Sequence, residues 1–137
     1  MLSCNQLEKI LDDLSITYSL IEPKYDTNRT KAIGYKFHEN LTLFVKGTLK
    51  NKDEEIEKKG RLVLHPLILI EIEQLTELKG VYLVEKRTQS NSYKFGNFPR
   101  YLLPIKSLKE PYGTSLDFED TDAFEKFFEI LQLNFDL

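Results

Sequence analysis

The sequence predicts an α+β fold: one compact domain over residues 1–137, with a mostly antiparallel sheet and an N-terminal, a central and a C-terminal helix. Three observations carry that expectation. The stretch Arg61–Arg87 reads as strand, helix, strand within a short span, and holds the longest apolar run of the chain. Residues 32–46 alternate apolar and polar side chains about a two-residue turn, the pattern of a hairpin. Both ends of the chain carry apolar stripes at helical spacing.

In chain order, Ser3 to Leu14 is the first helix. Ser3 and Gln6 have the spacing of a capping box, and Leu2 and Leu7 can staple it. Leu7, Ile10, Leu11 and Leu14 form one stripe, which places this helix on a sheet. Ile16 to Glu22 follows as a predicted strand, with Ile16, Tyr18 and Leu20 on one face. Pro23 ends it, and Lys24 to Lys31 reads as a polar loop.

Ala32–His38 and Leu41–Lys46 form the hairpin, turning at Glu39-Asn40. Ile33, Tyr35 and Phe37 share a face of the first strand; in the second, Leu41, Leu43 and Val45 alternate with Thr42 and Phe44. Lys50 to Arg61 is a charge-dense connector, with five basic and four acidic residues. It reads as a solvated loop or extended hairpin.

Leu62 to His65 then resembles a buried strand. Pro66 suits the first helical position, where its missing N–H costs nothing. Ile68, Leu69, Ile72, Leu75 and Leu78 recur at helical spacing, and Gly80 is placed to close the helix in a left-handed conformation. A strand remains the alternative over Leu67–Glu73, because isoleucines at even positions also suit one strand face. Val81 to Lys86 resumes as a strand, and the pairing of the two flanking strands is open.

A turn at Thr88–Ser92 leads to a short strand, Tyr93–Phe95. Gly96, Pro99, Pro104, Pro111 and Gly113 break the next stretch into loop and short extended pieces. Thr114 to Phe118 is the last strand. Asp120 or Thr121 caps a final helix whose buried face is Phe124, Phe127, Phe128 and Leu131.

Length and composition bound the function. Hydrophobic residues are 41% and charged residues 30% of the 137, which argues against disorder and fits a core burying about two thirds of the unfolded surface. No window has the roughly 18 uncharged apolar residues of a membrane span. Glu8 and Asp12 stand where an export signal has a basic start and an apolar run, and the single cysteine allows no internal disulfide. A cytoplasmic location is the resulting expectation.

Catalytic signatures are missing from the sequence. Cys4 has no histidine at a spacing that offers a base, and His38 and His65 read as hydrogen-bonded structural residues. No zinc spacing, phosphate loop or nucleophile elbow occurs, so no cofactor or metal is expected. Charge instead segregates. Lys86 to Glu110 holds six basic residues against one acidic, interleaved with Tyr93, Phe95, Phe98 and Tyr101. Asp117 to Leu137 holds seven acidic residues against one basic.

The acidic run yields the favoured expectation, a protein-binding module of immunity or antitoxin type. Asp117, Glu119, Asp120, Asp122, Glu125 and Glu129 would dock on a basic toxin or nuclease, as expected of complementary charge. The alternative is a nucleic-acid-binding protein or nuclease using the segment 86–109. There Lys94 and Arg100 would meet phosphates, and Tyr93, Phe95 and Phe98 would stack on bases.

The order Gly80-Val81-Tyr82, Tyr93-Lys94-Phe95-Gly96, Arg100 and a helix carrying Glu125 is similar to the motif order of GIY-YIG nucleases. That resemblance implies metal-assisted phosphodiester cleavage. Val81 replaces the isoleucine of the first tripeptide, Lys94-Phe95-Gly96 stands for the second, and the resemblance covers under half the chain. A third reading is an adaptor similar to PH domains, which also end in a strand and an aromatic helix.

Overall fold

The computed structural model describes residues 1–27, 32–46, 60–84, 92–94 and 112–137. Its elements are α1 (Cys4–Thr17), β1 (Tyr25–Thr27), β2 (Ala32–His38), β3 (Leu41–Lys46), β4 (Arg61–Leu64), α2 (Pro66–Glu71), a 3-10 turn (Glu73–Thr76), β5 (Val81–Leu83), β6 (Ser92–Lys94), β7 (Tyr112–Phe118) and α3 (Thr121–Asn134). Among these residues the strands form one sheet in the order β1-β2-β3-β4-β7-β5, with β6 also on β7. Every pairing is antiparallel, so the α+β expectation holds.

The hairpin pairs from Ala32↔Lys46 to Lys36↔Thr42, then shifts register before His38↔Leu41, a bulge beside the Glu39-Asn40 turn. Alternation then sorts side chains by face. Tyr35, Phe37, Leu41, Leu43 and Val45 enter the main core, whereas Phe44 joins Ala32 and Val63 on the opposite face. On that second face the Tyr25 ring meets Phe44 edge-on at 6.1 Å. A Cβ on Gly34 would lie 2.7 Å from the same ring, so the tyrosine occupies the space a larger residue would fill.

The last strand is central. β7 lies between β4 and β5, pairing Leu62↔Leu116 on one side and Val81↔Phe118 on the other. Hence β4 and β5 run parallel without touching, a split β-α-β unit with α2 as its crossover. β5 and β6 lie end to end along the same side of β7, with Val84 N–H donating to Ser115 O between them. The N-terminus tucks in at the end of β7: Leu2 N–H donates to Phe118 O, and Gly60 N–H to Leu2 O.

α1 opens as its cap spacing predicts. The Ser3 side chain accepts from Gln6 N–H, and the Gln6 side chain accepts from Ser3 N–H. Leu7 and Leu11 are buried, with Ile10 and Leu14 partly so. The predicted strand Ile16–Glu22 does not form. α1 runs on to Thr17, Ser15 Oγ bonds back to Asp12 O at 2.6 Å, and Ile16 is 82% exposed. The chain then turns, and the next strand is β1, inside the expected loop Lys24–Lys31.

The central helix forms, but it is short. α2 stops at Glu71, Ile72 leaves helical geometry (φ −116°, ψ 72°), and the 3-10 turn follows. Its termini explain the break. The crossover joins the end of β4, opposite Thr114, to the start of β5, opposite Phe118. Four strand residues span about 14 Å along β7 and the two ladders add about 10 Å sideways, roughly 17 Å in all; a straight helix from Pro66 to Lys79 would be about 21 Å long. Breaking it shortens the path and still buries Ile68 and Leu75, while Ile72 is only partly covered. Gly80 then turns the chain at φ +83°, the left-handed closure expected.

α3 starts at Asp120, whose carboxylate accepts from Ala123 N–H at 2.9 Å. Its inner face packs edge-to-face rings, Phe118 against Phe124 at 4.9 Å and against Phe127 at 5.0 Å. Phe128 reaches Phe37 at 5.2 Å. Three expectations fall on other residues: the connector Lys50–Arg61 up to residue 59, the turn at Thr88–Ser92 up to residue 91, and the Gly- and Pro-rich stretch before Tyr112. These lie outside the described residues.

Candidate functional site: an acidic helix face

The inner stripe of α3 leaves Asp122, Glu125, Lys126, Glu129 and Leu133 on its outer side, all exposed. The acidic residues there are not equivalent. Asp120 is consumed as the helix cap. Asp122 pairs with Lys126 one turn on, Oδ2 to Nζ at 3.2 Å. Among the described residues, Glu119, Glu125 and Glu129 enter no ion pair. Leu133, 72% exposed, continues the Glu125–Glu129 stripe by another turn.

Glu119 stands where β7 passes into α3. Its N–H donates to Gly80 O at 2.8 Å, and a Cβ on Gly80 would lie 3.2 Å from its Oε2 and 2.9 Å from Ala123 Cβ. That closeness brings the chain before Gly80 alongside the start of α3.

Asp117 does not belong to this surface. It alternates to the opposite face of the sheet, pairs in register with Tyr82 and is 5% exposed. Of the six acidic residues that sequence singles out, the structure brings five to the β7–α3 edge and the outer side of α3 and sets Asp117 apart.

The acidic residues of α1 contrast with them. Lys24 Nζ lies 2.9 Å from Asp12 Oδ1 and 3.9 Å from Glu8 Oε1, and the Tyr35 hydroxyl donates to Asp12 at 2.8 Å. Burial, then the bond to Asp12, pushes the Tyr35 phenol far above its ordinary value. These carboxylates fasten the turn after α1 to β2 and are committed locally.

The residues of the alternative reading are only partly in view. Tyr93 and Lys94 lie on β6, while Phe95, Phe98 and Arg100 lie outside the described residues. Tyr82 faces away from the helices, whereas Glu125 is on the solvent side of α3, which packs on the other face of the sheet. The sheet and helix layer therefore separate these two members of the GIY-YIG-like order. Both histidines have structural roles: Nδ1 of His38 accepts from Asn40 N–H, and Nδ1 of His65 from Leu67 N–H. Cys4 is buried in the first turn of α1. Among the described residues no cluster of three or more His, Cys, Asp or Glu is arranged to hold a metal ion, and no helix is long and apolar enough to cross a membrane.

In comparisons with protein-family models, curated proteins and solved structures, the chain matches none.

Proposed function

We propose that the protein is an acidic protein-binding module, an inhibitor of immunity or antitoxin type that docks the outer side of α3 on a basic protein. The observation that carries the reading is the division of labour among the acidic residues. Asp120 and Asp122 serve the helix itself, while Glu119, Glu125 and Glu129 have no basic partner among the described residues. Glu125 and Glu129 are also one turn apart, where like charges cost a helix about 0.2–0.5 kcal/mol. A cationic surface relieves that repulsion, speeds encounter and disfavours wrong partners. A toxin or nuclease that handles nucleic acid carries such a surface, and covering it blocks the substrate.

The test uses the tagged chain as bait in nuclease-treated lysate of its source cells, beside the variant Glu119→Lys/Glu125→Lys/Glu129→Lys. The reading expects one basic protein at stoichiometric level with the first bait and none with the second. Equal capture by both baits places the interface elsewhere. Partners lost only on nuclease treatment point to nucleic acid and the segment 86–109.

A further inference from the structure

The two histidines of the chain use the same device in different settings. Each offers its Nδ1 lone pair to the backbone N–H two residues on, at 3.1 Å in both cases. At His38 the bond closes the β2–β3 turn near the surface. At His65 it caps α2, in the position usually held by Ser, Thr, Asp or Asn. Those residues accept at ordinary pH values whatever the conditions. An imidazole accepts only while that nitrogen is unprotonated, because imidazolium has two donors and no acceptor.

We infer that His65 is an acid-releasable latch on α2: its neutral ring holds the first turn of the crossover, and protonation frees that turn with the Ile68 it seats. The latch stands at a junction. His65 is buried where β4 ends, its carbonyl accepts from Ile68 N–H at 3.1 Å, and Ile68 is in the core. Both bonds that start α2 thus run through one residue. Pro66 brings no N–H of its own, so Leu67 has the first amide in need of an acceptor.

The surroundings favour the neutral ring. Burial holds the His65 proton affinity below the ordinary value of 6.5, and the Glu71 carboxylate at the far end of α2 opposes this more weakly. Glu71 is the charged group that acts on it from its own helix. β4 from Leu62 to Leu64 and β7 from Gly113 to Leu116 bring no charged side chain. Between the lowered value and 6.5 the unfolded chain binds a proton that the folded chain does not. The latch's contribution is therefore complete above pH 6.5 and is lost as pH falls below it.

The experiment follows amide hydrogen exchange of the full chain from pH 8 to pH 5, as protection relative to the intrinsic rate. Protection at Leu67 and Ile68 should fall roughly tenfold across the acid half of that range, the size of a lost cap. Phe127 in α3 should lose no more than this, because the unfolded chain binds the same single proton. His65→Asn, whose side chain caps without titrating, should flatten the Leu67 and Ile68 profiles, and His38→Asn should leave them as in the parent. The imidazole 15N resonances of the unsubstituted chain give a readout independent of any variant. Nδ1 of His65 should show the acceptor shift at pH 8 and lose it in step with Leu67 protection. A flat parent profile, or a His65→Asn profile that still falls, would overturn the inference.

Discussion

Gly80 and Phe127 show how differently single residues hold this fold. Gly80 turns the chain from the 3-10 turn into β5 at φ +83°, a region that L side chains enter at a cost of about 1–2 kcal/mol. An added Cβ would also press on Ala123 at 2.9 Å. Gly80→Ala is therefore expected to lower unfolding free energy by at least that amount in denaturant titration, through backbone strain rather than lost burial. Phe127 acts by packing: it is fully buried against Phe118 and Phe124. Phe127→Ala is expected to cost about 3–5 kcal/mol, and a near-neutral midpoint would remove α3 from the core. Both residues are legible in sequence, one as a glycine after a helical run and the other as part of an i, i+3, i+4, i+7 stripe. The role of Tyr35 was not. Its bond to Asp12 joins residues 23 apart, a contact only the tertiary fold creates.

The elements separate along the same line. Caps are local chemistry, and the reciprocal Ser3–Gln6 box forms as spaced. Ser3→Ala is expected to cost roughly 1 kcal/mol, within about 0.5–2, and to leave the rest of the fold intact by circular dichroism. The break at Ile72 has no local signature, because it answers to the distance along β7 between Thr114 and Phe118. Alternation at Ile16, Tyr18 and Leu20 suggested a strand, yet Ile16 points to water while Tyr18 packs on Phe128 at 5.4 Å. Three alternating residues are too few to outweigh continuation of a well-capped helix. β1 has no sequence signature for the opposite reason: three residues beside a polar loop form a strand only because β2 supplies the ladder.

Across the whole molecule, the α+β architecture follows from the order of elements, whereas the central place of β7 does not. A strand near the end of the chain, inserted between β4 and β5, is a long-range pairing that periodicity does not encode. The acidic surface is half legible. Its α3 residues stand out as a charge run, but the burial of Asp117 depends on the sheet face that its strand presents. At this scale stands the proposal that Glu119, Glu125 and Glu129 meet a basic protein. Its most direct test is the association rate constant with the captured partner, measured from low to physiological salt by stopped flow. The parent chain should bind fastest at low salt and slow steeply as salt screens the charges. Glu119→Lys/Glu125→Lys/Glu129→Lys should be slower by at least tenfold at low salt, with its thermal midpoint close to the parent's. An association rate unchanged at low salt, with the partner still bound, would contradict the account.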